Sequence, residues 1–477
     1  MSDGQEITDD TDPLDRGNAQ VALQTTICSD WNGFIDGLWN IFEHVNLSEK
    51  TLTVTTTLYS ISGEEQSLQM FTVQPGAQHD VLIHDMEGRI RNSYGKVCSR
   101  HDGAPGDLDG GMVFYKSAPG GGFEFAFSMP MSNGKRGAQY VPFNTFHPSY
   151  RMEDQQNIVA NWIELVNESP KRAAGVLRYF GMDGGLLAEE AVQLEAGARR
   201  DFSAHQFGRD RVGHVAWMPS DPSVDIQLRN VRYLYDNPSG ADGFDTAFQL
   251  DGLYGSGGLL AVPLDTRGGS AILEVTNTLS EAAPVHVLLY DADGTLRSER
   301  RLTVAARATF HLMTEAEDLL GPNRRGMAVV RGTKRASLIA VAMHYLRESG
   351  KVSYMYGIPA VAPLGTVLRG TYNTYLGQES ELVLLNPNER SANATVSMTR
   401  SNGDRVRGVA RAKAEPILQG DSVRVPAFGT VVQNLNEFER PNEYGVVTVH
   451  SPRRNGLVAW VLRRRGAEYL IPRPVRQ

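Results

Sequence analysis

An asparagine ends an apolar run four times in this chain, at Asn46, Asn167, Asn277 and Asn386, at intervals of 121, 110 and 109 residues. Sixteen and seventeen residues after each stands a small polar residue followed by glycine: Ser62-Gly63, Asp183-Gly184, Asp293-Gly294 and Asn402-Gly403. A pattern that returns at such a period marks tandem structural units. Small-polar-plus-Gly dipeptides supply the positive φ of a tight hairpin turn. Before each turn the residues alternate, with Thr56 and Leu58, Leu177 and Tyr179, Val287 and Leu289, and Val396 and Met398 on one face. Period two with one apolar face is a half-buried strand.

After the turn, three copies place Val73, Leu194 or Val304 at the same offset of 27 from the asparagine. The fourth copy holds roughly a dozen extra residues here, and its matching strand is expected around Val425. A glycine-led strand follows in each copy, at Tyr94, Val212, Arg325 and Tyr444, then a last apolar strand. An aromatic-plus-Pro segment is expected to close three copies, from Gln139, Tyr354 and Glu468. Turn signals every 8–12 residues with alternating patterning predict β-sandwiches. The 48 glycines and 23 prolines fit many turns and short strands. The expected fold is all-β: four tandem antiparallel sandwiches of about 110 residues in a row, at 21–145, 146–255, 256–362 and 363–477. The first is enlarged, and "WNGFIDGLWNIFEHV" from Trp31 reads as a helix-like insert. The last is basic.

The span "VTNTLSEAAPVHVLLYDADGTLRSERRLTVAARATFHL" from Val275 resembles the small sandwich of the bacterial sensory rhodopsin transducer family. It is also similar to repeat modules of large bacterial extracellular proteins. The resemblance covers one module at a time and implies the sandwich fold of that module. It carries no signalling role, because the transducer is a single small domain and fold does not imply function.

Charge is unevenly placed around the net value of -8. Residues 1–20 carry six acids against Arg16 and read as a disordered acidic tail. From Arg453 onward seven arginines face one acid, Glu468, a surface suited to an anionic partner. No reading helix or aromatic-interleaved basic groove accompanies them, so nucleic acid is not an expected partner. No run of about 18 apolar residues predicts a membrane-spanning helix. No leader is visible after Met1.

Candidate sites are few. Trp31 beside Asp30, Asn32 and Asp36 is the expected sugar platform, an aromatic face with hydrogen-bonding neighbours. Strand alternation points the other tryptophans inward. Asp102, Asp107 and Asp109 in "HDGAPGDLDGG" are the candidate calcium ligands, closely spaced acids among glycine turns. Calcium is the one cofactor this sequence suggests. Cys28 and Cys98 are a candidate disulfide within the first unit. No zinc-helix, Walker or nucleophile-elbow motif occurs, so no catalytic residue is assigned and the chain reads as a non-enzyme. The expected function is a structural or adhesive protein that meets a protein or glycan surface or self-assembles. Its expected place is extracellular, cell-surface or periplasmic. A carbohydrate-binding array and a cytosolic interaction scaffold are the alternatives.

Overall fold

The computed structural model describes residues 25–33, 37–118, 123–132, 134–146, 158–235, 244–348, 351–363, 365–406, 421–451, 456–466 and 469–475. The acidic stretch 1–20, Asp36, Arg453, Arg454 and Arg476 lie outside them. Among the described residues the chain is strands and three-residue 3-10 turns. The expected helix-like insert is instead two strands, Thr26–Asn32 and Leu38–Asn46. The first is buried on both faces from Ile27 to Trp31, the second buries Leu38 and Phe42 and turns Trp39 outward, and β-branched or aromatic residues suit that pleat better than a helix.

The first unit has eight strands: β1 (Thr26–Asn32), β2 (Leu38–Asn46), β3 (Leu52–Tyr59), β4 (Glu65–Val73), β5 (Gln78–Leu82), β6 (Tyr94–His101), β7 (Leu108–Ser117) and β8 (Phe123–Pro130). They form two four-stranded antiparallel sheets, β1-β6-β3-β4 and β5-β2-β7-β8. The other three units repeat both orders, giving eight sheets and four sandwiches. In the fourth, the strand equivalent to β4 is split into Arg405–Val406 and Asp421–Val425, which places the extra residues of that copy between them. The segment Gln139–Asn144 does not close the first copy as expected. It is β9, the opening strand of the second, paired with Val212–Pro219. An aromatic-Pro pattern looks alike on a first and a last strand, and only the pairing partner separates them.

The repeated asparagine is a bracket inside each sandwich. Asn277 Nδ2 donates to the carbonyls of Glu281, Val304 and Ala305, and its Oδ1 accepts from the Leu279 N–H. Asn167 and Asn386 make the same four bonds, and Asn46 makes three of them. The side chain thereby joins the end of the second strand to the end of the fourth, where backbone groups would otherwise be buried without partners. In the fourth copy the bonded carbonyl belongs to Val425, which takes the place of Val73, Leu194 and Val304.

The units do not lie in a row. The hairpin tip of each meets the turn before the fifth strand of the next. Ile61 O accepts from Arg199 N (2.9 Å), Met182 O from Thr309 N (2.9 Å) and Ala292 O from Thr430 N (2.9 Å). Ser401 O in the fourth unit then accepts from Gln78 N in the first (3.0 Å). Four equivalent clasps close the chain into a ring. The tip glycine is needed twice over. Gly184 has φ +87°, and a Cβ there would lie 2.1 Å from the Ala306 carbonyl of the next unit. Around the axis, the last strand of each unit packs on those of both neighbours: β8, Thr246–Asp251, Lys351–Pro359 and Tyr469–Pro474.

Candidate functional site

Two places collect functional chemistry: the joints between units and the axis of the ring. Each joint holds an acid–base pair drawn from both units, buried at the first, second and closing joints and partly exposed at the third. At the first joint Asp30, on β1, accepts from Arg229 of the second unit, and the Arg199 guanidinium stands 3.9 Å away. Burial opposes the Asp30 charge, but Arg229 and Arg199 outweigh it and hold its carboxyl below the usual range. Glu164 moves the other way: burial raises it well above the usual range even though Arg199 donates to it at 2.5 Å. Its protonated form can give a hydrogen bond to Asp30, which holds two buried carboxyl groups side by side.

At the second joint Arg232 faces Glu274 at 3.9 Å. At the third, Arg325 pairs with Glu381 at 2.6 Å. At the closing joint Glu43, on β2, takes a two-pronged contact from Arg463 (2.7 and 3.1 Å) and a third bond from Arg473 (2.6 Å). Arg463 and Arg473 belong to the basic C-terminal run, so part of that charge is spent inside the ring and not on a surface. Glutamate stands three residues before the repeated asparagine at Glu43, Glu164 and Glu274. That recurrence is the sequence signal that marks the joints, and reading the strands for apolar faces alone passes over it.

Asp80, on β5, lies beside the closing joint. Burial first, then the Glu43 charge, raises its carboxyl to about 7. A raised folded-state pKa means that the folded chain holds this proton more tightly than the unfolded chain. The contribution to stability is therefore full below the unfolded value near 4 and is lost as pH rises through about 7. Asp80→Asn is expected to remove that dependence. Thermal melts at pH 5 and pH 8 should show the variant gaining on the parent by roughly 1–2 kcal/mol at the higher pH, a figure discounted because Asp80 is partly solvent-exposed. An equal difference at both pH values would refute the assignment.

The sequence-predicted sites fall out as follows. Trp31 is 0% exposed and its Nε1 donates to the Tyr59 carbonyl at 2.9 Å. Both faces of the indole are packed, so it is no sugar platform in this fold. Asp30 belongs to the first joint, and Asn32 ties its backbone to Asn40. The tryptophans that alternation pointed inward divide: Trp217 and Trp460 are buried, whereas Trp39 is 41% and Trp162 37% exposed. Those two sit on the second strands of the first and second units, Trp39 against His84 and Trp162 against His205.

Asp102 Oδ1 accepts from Thr53 N (2.8 Å) and Asp107 Oδ2 from Ala104 N (2.7 Å). Asp109 stands on β7 opposite Val45. The Asp102 carboxylate is thus tied to strand β3 and that of Asp107 closes a local turn, and among the described residues no three His, Cys, Asp or Glu side chains are placed to hold a metal.

Cys28 and Cys98 are direct partners on β1 and β6 and are bridged, 70 positions apart in the chain. Closing a loop of that length contributes about 4 kcal/mol through the unfolded chain. Cys28→Ser combined with Cys98→Ser is expected to lower the urea midpoint of the first unit accordingly. Reductant should shift the parent chain and leave this variant unchanged; a reductant-insensitive parent would contradict the bridge.

Three buried histidines offer little acid–base chemistry at neutral pH. Burial pushes His44 and His214 down to about 3 and His344 to about 4, so these rings are neutral at pH 7.

On the axis, all four units line one cavity of about 440 Å³. Phe127 of the first unit, Phe248 of the second, Tyr354 of the third and Trp460 of the fourth contribute aromatic walls. The Tyr354 hydroxyl donates a hydrogen bond to the Ala126 carbonyl at 2.8 Å, joining the third unit to the first.

No family model matches the sequence, and no curated protein matches it. Among solved structures, a β-glucuronidase of glycoside hydrolase family 2 aligns at 12% identity over 54% of this chain and 25% of its own, with a TM-score of 0.12. The Streptomyces avermitilis α-L-rhamnosidase aligns at 10% identity over 71% and 40%, TM-score 0.13. A family 2 glycosyl hydrolase from Bacteroides cellulosilyticus aligns at 6% identity over 94% and 91%, TM-score 0.13. The chain spans about a quarter of the length of the β-glucuronidase. At such TM-scores these likenesses carry no argument about activity.

Proposed function

We propose that the chain is a non-catalytic interaction protein, a ring of four β-sandwiches whose outer faces meet a protein or glycan surface outside the cytosol. The observation that carries this reading is the set of four equivalent clasps, which hold one shape while leaving the outer faces free to diverge. Repeat architectures commonly work through such extended surfaces. Three further features support it. The strongest charge clusters are spent on the joints. The buried histidines are neutral. A cross-strand disulfide suits an oxidising compartment.

The carbohydrate-binding alternative now rests on Trp39 and Trp162, whose half-exposed indoles are the kind of face on which a sugar stacks. The test is binding of the full chain to a glycan array and to cell-wall and cell-surface protein fractions, with Trp39→Ala and Trp162→Ala beside it. Saturable binding supports the proposal, and loss of glycan binding in either variant selects the carbohydrate form. Turnover of any glycan, or no binding to any fraction, overturns it.

A further inference from the structure

The third joint opens on a pocket of about 260 Å³ that the third and fourth units wall together. Leu346, Leu462 and Leu470 give it apolar sides. Four guanidinium groups, of Arg267, Arg325, Arg347 and Arg464, line it against two carboxylates, Asp265 and Glu381. Small-molecule sites are commonly made this way, with carbon walls and a few placed polar groups.

The ion pairs do not exhaust the arginines. Arg267 grips Asp265 with two prongs (3.0 and 2.8 Å), and Arg325 bridges Asp265 (2.9 Å) and Glu381 (2.6 Å). Arg464 reaches Glu379 (2.8 Å) and Glu381 (3.5 Å). A guanidinium carries five N–H donors, so among the described residues each of these three keeps donors unspent. Even with Glu379 counted, which stands outside the wall, four positive charges meet three negative ones. That surplus matches a singly charged anion. The side chains of Arg267 and Arg464 are 45% and 40% exposed, so neither head is sealed inside the joint.

Tyr356 is an independent pointer. It is 3% exposed and its ring stacks on His344 at 4.5 Å, yet its hydroxyl has no hydrogen-bond partner among the described residues and is not sealed from solvent. Asp265, Arg325 and Glu381 all act on that hydroxyl electrostatically, which places it among the charged groups of the wall. An open hydroxyl beside spare guanidinium donors is arranged to donate a hydrogen bond to an anion's oxygen.

We propose that this pocket binds a small monocarboxylic acid with a short apolar body. Arg267, Arg464 and the Tyr356 hydroxyl hold the carboxylate, and the three leucines take the body. The site exists only where the two units meet. It is separate from the outer faces, and its success or failure leaves their role untouched.

The probes are 4-methylpentanoate, its uncharged primary amide, and N-acetyl-leucine, which carries the same acid skeleton at the end of a peptide unit. Calorimetric titration of the full chain at pH 7 and low salt should show one 4-methylpentanoate bound per chain, about tenfold more tightly than the amide, a gap that narrows at high salt. Either order of the two acids supports the site. Tighter binding of N-acetyl-leucine assigns it to a peptide C-terminus, and the reverse order assigns it to a free acid. Tyr356→Phe removes only an unpartnered hydroxyl, so the melt should stay in place while acid affinity falls about fivefold. Arg267→Gln, on a partly exposed side chain, should lower acid affinity about tenfold and also spare the fold. Failure of both acids to saturate at one per chain, equal affinity for acid and amide, or acid affinity unchanged in both variants overturns the site.

Discussion

Asn277→Asp should destabilise the third unit by about 3–6 kcal/mol, although it exchanges one atom group for another of nearly the same size. The amide of Asn277 gives its two protons to three carbonyls, of Glu281, Val304 and Ala305. An aspartate has no proton to give and sets a negative charge against those oxygens. The only bond that survives is the one from the Leu279 N–H to Oδ1. Asn277→Ala removes the donors without adding the charge and should cost less, about 2–4 kcal/mol. Urea unfolding followed by tryptophan fluorescence will miss this unit, because its described strands carry no tryptophan. Differential scanning calorimetry or hydrogen exchange across 259–359 is the suitable readout. A loss for Asn277→Asp no larger than that for Asn277→Ala would contradict the bracket.

Glu43→Gln is the second large effect. It leaves Arg463 and Arg473 buried within reach of one another without their counter-charge. Removing one side of a buried ion pair costs about 3–5 kcal/mol, because the remaining charge has already lost its water. Here two cations remain. The damage should appear as ring opening as much as unfolding, since Glu43 belongs to the first unit and both arginines to the fourth. Small-angle scattering should report a larger radius of gyration at temperatures where the parent is compact. Asp80 provides an internal check. Without the neighbouring Glu43 charge, and with two arginines unbalanced, its pKa should fall below the present value of about 7. An unchanged Asp80 titration together with an unchanged melt would refute the closing joint as described.

The unit was legible in the sequence and the assembly was not. The asparagine, the turn glycine and the alternating strand residues are demanded by local geometry, so they recur at fixed offsets. Thr56, Leu177, Val287 and Val396 are all buried as that alternation requires. The displaced strand at Val425 could be located because its neighbours kept the pattern. The clasps left no trace beyond the tip glycine, which the turn alone already demands. Their acceptors are main-chain carbonyls of Ile61, Met182, Ala292 and Ser401, four side chains with nothing in common. A carbonyl needs no particular residue, so no offset analysis detects it. Trp31 was misplaced for a related reason: polar neighbours along the chain suggested a surface, but alternate residues of a strand face opposite ways. Its neighbour Asp30 is itself buried, held by Arg229 from 199 residues further along the chain.

The four joints also differ in polarity. Followed round the ring from each unit to the one that its hairpin tip meets, the second, third and closing joints run from arginine to glutamate: Arg232 to Glu274, Arg325 to Glu381, Arg463 to Glu43. At the first joint the order reverses, running from Asp30 of the first unit to Arg229 of the second. The main-chain clasps are interchangeable and would let any hairpin tip dock on any turn. The charges mark one docking face apart from the rest. A first unit that reached past the second toward the turn of the third would set Asp30 against Glu274, acid against acid. In a chain carrying four parts of one fold, the reversed seam thus disfavours skipping the second unit, while the common fold of the parts stays free of that task.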